Sequence, residues 1–233
     1  MHYILNCLWQ FILTLWKIIK MNKKIEIIKC IDELYKEPKC ELEFNSNYEL
    51  LVAVILSAQC TDKRVNQVTK ELFKEYNTPE KMITLSNAEL ENFIRPCGLS
   101  KNKAGYILEA SREIALKYGG ELPKTKEELK KLPGVGEKTA NVMLATAFGI
   151  PAIAVDTHVF RVSNRLGLAN SKNVLETQHQ LEKVLPKDKW IKFHFALITH
   201  GRYVCKAQNP KCEECGAKSY CDYYKKITVK NKV

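Results

Sequence analysis

Apolar positions along this chain recur at helical spacing. Residues 50–56 form a nearly continuous run, Leu-Leu-Val-Ala-Val-Ile-Leu. The run alone could be a strand, but its flanks predict a buried helix. Val65, Val68 and Leu72 mark one face of the next helix. Ser86 with Glu89 has the spacing of a capping box, as does Thr125 with Glu128. Ser100 stands where it can cap a helix that ends at Gly119-Gly120, since glycine relieves the left-handed stop. A short helix over 126–132 is stopped by Pro133, and another follows over 137–148. Further helices are predicted over 157–165, over 173–185 ahead of Pro186, and over 187–204. No Asn-Gly turn joins alternating runs, so the fold class is all-α. No internal repeat or low-complexity segment interrupts the pattern.

The first twenty residues break it. Fourteen of them are apolar, and the only charges are Lys17 and Lys20, at the wrong end for a signal peptide. The charge-free stretch stops at Trp16, short of the ~18–20 residues of a membrane span. Met21-Asn-Lys-Lys resembles a natural start. Residues 1–20 are therefore expected to be an apolar extension upstream of the native start, with a membrane-surface anchor as the alternative.

Composition narrows the class. With 233 residues, 45% hydrophobic and 27% charged, the chain can bury one substantial core or two small ones. Its net charge is +11, or 11 − 2 = +9 without Lys17 and Lys20. Either excess suits a polyanion such as DNA or RNA, with solubility as the plain alternative. The nine cysteines form no disulfide framework: five are scattered, and Cys205, Cys212, Cys215 and Cys221 are clustered.

Leu132-Pro-Gly-Val-Gly-Glu-Lys-Thr-Ala140 carries the sharpest chemistry. Gly134-Val135-Gly136 is a turn between two helices. The first amides of the second helix lack internal partners, so they can hold a phosphate oxygen without reading a base. A tight turn that binds nothing is the plain reading. Lys138 faces the positive end of the helix dipole, an unfavourable place for a cation. That setting, with partial burial, would favour the free amine and make it a nucleophile. Simple pairing with phosphate is the alternative. Asp156, in Val155-Asp-Thr-His158, is an N-cap candidate whose carboxylate would be held rigidly. His158 sits among apolar neighbours and reads as structural.

The clustered cysteines follow the spacing Cys205-x6-Cys212-x2-Cys215-x5-Cys221. Four thiolates so close in sequence indicate one metal site in a reducing compartment. A structural zinc satisfies that spacing, and common ferredoxin spacings differ from it. Lys206, Lys211 and Lys218 stand between the ligands and can present charge to phosphate or merely solvate the loops.

Taken together, these motifs resemble the endonuclease III family of helix-hairpin-helix DNA repair glycosylases, over roughly residues 21–224. Ser57-Ala-Gln-Cys-Thr-Asp62 resembles another family segment, with Cys60 where alanine is common. The resemblance implies two lobes and an active site in the cleft between them. One lobe is a helical barrel over 40–150 that contains the hairpin. The other, from 21–39 and 151–224, holds a [4Fe–4S] cluster on the four cysteines, and a basic tail covers 225–233. The resemblance also assigns Lys138 as nucleophile, Asp156 as its carboxylate, and Gln59 and Leu99 as fillers of the gap left by an extruded base. Gly134, Val135, Gly136, Lys206 and Lys211 would contact DNA. The implied reaction removes oxidised or ring-saturated pyrimidines and cleaves abasic sites by β-elimination. Its partner is double-stranded DNA carrying those lesions, and the protein is expected to be a cytoplasmic monomer with no obligate protein partner. Mismatch adenine glycosylases share a similar cluster but lack the lysine and carry a further C-terminal domain. A non-catalytic hairpin module would need neither Lys138 nor Asp156.

Overall fold

The computed structural model describes residues 2–230. Among them are α1 (His2–Leu34), α2 (Asn47–Leu56), α3 (Asp62–Leu72), α4 (Pro79–Met82), α5 (Asn87–Ile94) and α6 (Ser100–Lys117). The chain continues through α7 (Lys126–Leu129), α8 (Glu137–Ala147), α9 (Thr157–Leu166), α10 (Val174–Val184), α11 (Trp190–Tyr203) and α12 (Asp222–Lys230). The described residues contain no strand, in keeping with the all-α expectation. Met1 and residues 231–233, the end of the expected basic tail, lie outside them.

Two compact units divide the chain: Lys39–Ala154, and Met1–Pro38 together with Val155–Val233. In the first, α2 is the central element, with every residue from Tyr48 to Leu56 buried. Ser46 starts it by accepting the Glu49 amide. Helices α3, α6 and α8 pack against it. Val65, Val68 and Leu72 are buried on the inner face of α3, as their spacing predicts. The Tyr48 hydroxyl lies 2.6 Å from Ser111 Oγ, so α2 and α6 share a satisfied polar contact inside the core.

In the second unit, α9 packs on α10, α11 and α12, and α1 packs on α11. Ile27 and Ile31, four residues apart, are fully buried on one face of α1, and Phe193 is fully buried on α11. Lys189 Nζ donates to the Asp32 carboxylate at 2.8 Å, and Lys192 Nζ donates to the Asp32 carbonyl at 3.0 Å. Lys192 also pairs with the Asp32 carboxylate, and the two lysines hold that carboxyl below its ordinary range, Lys189 contributing most. Lys23 pairs with Asp222, which ties α1 to α12.

Several boundaries differ from the sequence reading. The Ser86–Glu89 capping box is complete. At Thr125 only half forms, because the Glu128 carboxylate turns to Tyr118 and Lys131 instead. Ser100 does not cap α6. Leu99 occupies that position in a left-handed conformation, and Ser100 is the first helical residue. Helix α6 does end at the glycine pair: Gly120, at φ +86, donates its amide to the Ile114 carbonyl. The described part of the basic tail, residues 225–230, is helical and belongs to α12.

Residue 21 is no structural boundary either, since α1 runs unbroken through it. Trp9, Leu15, Ile19 and Met21 nevertheless expose about half or more of their surface, while burial starts further along the helix. Among the described residues no helix is long and apolar enough to cross a membrane. A chain starting at Met21 is therefore expected to melt within a few degrees of the full chain, because a surface change away from packed features shifts stability by only about 0.5 kcal/mol. A drop of ten degrees or more by circular dichroism would show that the first twenty residues pack on the fold.

Candidate active site and cysteine cluster

Helix α7 leads through Leu132 and Pro133 into the hairpin. Gly134 has φ +78, and a Cβ built there would meet Tyr106 Cβ at 2.9 Å. Conformation and space both require glycine. Gly136 differs: its φ is −91, and nothing lies within 4 Å of a built Cβ. Val135 between them is buried, and its amide donates to the Leu132 carbonyl at 3.1 Å. It pins the turn from inside. Gly134 and Gly136 on either side of it are exposed.

Gly136 is also the N-cap of α8, and it supplies no side-chain hydrogen bond. Most helices here are capped by Ser, Thr, Asn or Asp. The Glu137 carboxylate turns back toward α7, where Lys126 and Lys130 pair with it and hold its carboxyl below the ordinary range. The partial burial expected of Lys138 is not found. It is exposed in the first turn of α8, so helix position rather than desolvation sets its surroundings. Asn141 Nδ2 donates to the Ile153 carbonyl at 3.1 Å and fixes α8 against the extended segment that follows it.

Asp156 caps α9, its Oδ1 accepting the Val159 amide at 2.8 Å. The cap fixes the carboxylate's orientation, and the group is only half-buried. His158 Nδ1 lies 3.1 Å from Arg161 Nη2, a structural contact within the same helix.

Gln59 and Leu99 share one property. Both have left-handed backbone, φ 56 and φ 51, and both are exposed. Neither is glycine, so each position carries strain of about 1–3 kcal/mol. Leu99 leaves 54% of its surface in solvent.

Cys205, Cys212, Cys215 and Cys221 line one small cavity, of about 20 Å³, with Leu166, His200 and Tyr223. Among the described residues no three His, Cys, Asp or Glu side chains group closely enough to hold a metal ion. The thiol lining is the right donor chemistry for iron–sulfur ligation. Burial pushes the Cys215 thiol up to about 11 and raises Cys212 and Cys221 as well. Ligation at neutral pH therefore needs a cation that stabilises the thiolates.

Sequence reasoning missed the residues that shape this loop. Arg165 Nη1 donates to the Lys206 carbonyl at 2.6 Å and lies 3.6 Å from Cys205 Sγ, and its guanidinium stacks on Tyr223. Arg161 donates to the Cys205 and Gly201 carbonyls. His200 is buried, with Nε2 at 3.6 Å from Cys215 Sγ and Nδ1 at 2.9 Å from the Tyr35 hydroxyl. Burial lowers its pKa to about 4, so the ring is neutral. Its position five residues before Cys205 was the one available signal. Lys206 and Lys211 are exposed, the latter 3.4 Å from Glu214. Lys218 turns to the Glu213 carbonyl.

Residues 52–187 match the HhH-GPD superfamily of base excision DNA repair proteins. The chain is 50% identical over 203 residues to endonuclease III of Bacillus subtilis, covering 85% of this chain and 92% of that one. It resembles the solved structure of a non-covalent endonuclease III–DNA complex with a TM-score of 0.84, at 48% identity, covering 88% of this chain and 98% of the other. A trapped endonuclease III–DNA covalent intermediate matches with a TM-score of 0.83 at the same identity and coverage.

The two hairpin glycines should separate in experiment. Gly134→Ala, at positive φ against Tyr106, is expected to cost about 1–3 kcal/mol of stability. Gly136→Ala should change stability by less than about 0.5 kcal/mol yet weaken binding to all duplexes alike, because its methyl stands where a phosphate would approach the α8 amides. Urea melts and binding isotherms check both. Equal destabilisation by the two substitutions would contradict the geometry.

Proposed function

The chain belongs to the HhH-GPD superfamily of base excision DNA repair proteins, and within it to the endonuclease III family, and we propose that Lys138 is its nucleophile and Asp156 the carboxylate that assists it. The observation that carries this reading is an exposed lysine in the first turn of an uncapped helix, directly after the glycine hairpin. A relative at 48% identity has been captured as a covalent intermediate with DNA.

The enzyme is a DNA glycosylase and abasic-site lyase acting in base excision repair. Its substrates are oxidised or ring-saturated pyrimidines and abasic sites in duplex DNA. A base inside the duplex is out of reach, so the nucleotide is flipped out. That costs a few kcal/mol, least for a damaged base. Gln59 and Leu99 fill the vacated space. The Lys138 amine attacks C1′ and the base leaves with its bonding electrons. Asp156 stabilises the positive charge that develops on the sugar and takes part in deprotonating the lysine. The nitrogen lone pair then expels O4′, which takes up a proton as the sugar ring opens to an imine at C1′. The imine acidifies the neighbouring C2′ proton, and its loss expels the 3′ phosphate. Gly134 and Gly136 with the α8 amides, and Lys206 and Lys211 from the cysteine loop, hold the phosphates. The salt dependence of such contacts carries no base preference.

In this reading Lys39–Ala154 is the helical-barrel domain and the other unit is the cluster domain. Cys205, Cys212, Cys215 and Cys221 hold a [4Fe–4S] cluster. When bound it supplies structural cross-linking of the loop that carries Lys206 and Lys211. Arg165, Arg161 and His200 hold that loop from the protein side. The protein works in the cytoplasm at the nucleoid, where thiols stay reduced.

Two measurements test the reading. Lys138→Gln keeps the length and removes the amine, so excision and strand cleavage should vanish while duplex binding survives. Asp156→Asn should slow excision by about 10²- to 10³-fold without loss of binding. Wild-type rates in either variant would remove that residue from the chemistry. The purified protein should be yellow-brown and carry iron and sulfide in equal amounts, and Cys212→Ser should impair folding or DNA binding rather than the chemical step. Stoichiometric zinc in a colourless protein would overturn the cluster assignment.

A further inference from the structure

Lys103 on α6 is 3% exposed, and none of the chemistry above uses it. Its Nζ donates to the Leu56 carbonyl at 2.8 Å and to the Cys97 carbonyl at 2.9 Å. Leu56 is the last residue of α2, and Cys97 ends the short turn that follows α5. Gln59 lies three residues beyond Leu56, and Leu99 lies two beyond Cys97. These are the strained, exposed, left-handed residues described above. The Lys103 amide also donates to the Leu99 carbonyl, at 3.0 Å. One residue thus holds the Leu99 turn with its backbone and reaches the root of the Gln59 turn with its side chain.

Burial disfavours the charged amine at this site, and desolvation pulls its pKa down. An apolar side chain of similar volume would fill the space without that cost. What methionine would not supply is a donor common to two carbonyls on separate segments. Those carbonyls lie where α2 and the turn after α5 give way to irregular backbone; α6 packs on both segments, and its Lys103 Nζ joins their two ends.

We infer that Lys103 is a positioning residue, a buried bridge between Leu56 and Cys97 that sets the spacing of the Gln59 and Leu99 turns for their joint entry into the base stack. The inference rests on the reading of Gln59 and Leu99 as gap fillers. It predicts a defect confined to duplex DNA, since an unpaired strand has no opposing stack to enter.

Single-turnover borohydride trapping tests it on an abasic site in a duplex and on the same strand unpaired. Lys103→Met should lower the duplex rate by about tenfold to a hundredfold and leave the single-strand rate within about twofold of wild type. Lys103→Gln keeps a donor but is too short to span both carbonyls, and it should show a smaller loss of the same kind if Lys103→Met does not fold. An equal loss on both substrates, or no loss on the duplex, would overturn the inference. In a chain that already carries Gln59→Ala and Leu99→Ala, Lys103→Met should have little further effect, whereas additive losses would overturn it. If the Gln59→Ala, Leu99→Ala chain traps the duplex at the wild-type rate, the gap-filling reading itself fails and the inference falls with it.

Discussion

The amides at the head of α8 have no partner inside the helix, and Gly136 offers no side chain to supply one. Around this constraint the Lys39–Ala154 unit is organised. Helix α8 is anchored on the buried α2 and tied by Asn141 to the segment after it, so its N-terminus is held rigidly. Gly134 makes the entry turn possible, and Val135 pins that turn from within. Glu137, the one carboxylate in the first turn, is drawn aside by Lys126 of α7 and by Lys130 at its C-cap. What remains at the helix head is a set of N–H groups with no partner inside the helix and one exposed amine, which supports the proposed phosphate site and nucleophile.

The second unit solves a different problem. Residues 204–221 contain little regular structure, and a loop of that kind has no ladder to satisfy its backbone. Arginines from α9 supply donors to its carbonyls, and Tyr223 stacks on one of them. The Cys221 thiol closes the circuit by donating to the Arg165 carbonyl. These contacts shape the loop before any metal is considered. Burial favours the protonated thiol at Cys212, Cys215 and Cys221, which line a common cavity with Cys205, and a cluster would lock the four as thiolates.

Much of this was legible in the sequence because it is local. The run at 50–56 is a buried helix because it has no polar face to offer solvent. The hairpin, its glycines and the cysteine spacing are short-range patterns with specific physical meaning. Side-chain direction was harder to read. Glu128 prefers Tyr118 and Lys131 to the Thr125 amide, a choice set by a residue ten positions away. The exposure of Lys138 depends on how α7 and α8 pack, and its expected burial was wrong. Ser100 looked like a cap, but a strained leucine holds that position, which no propensity rule would select. Lys103 carried no signal at all, since a lysine in a helix is by default a solvated one.

The central claim is that the Lys138 amine bonds covalently to DNA. Mapping the attachment site tests it most directly. The enzyme is reduced with borohydride on an abasic duplex, digested with trypsin and nuclease, and the peptides are sequenced by mass spectrometry. The account predicts one modified peptide, residues 132–161, uncut at Lys138 and carrying the reduced sugar on that side chain. An adduct on any other lysine or on the N-terminal amine, with Lys138 unmodified, would contradict it.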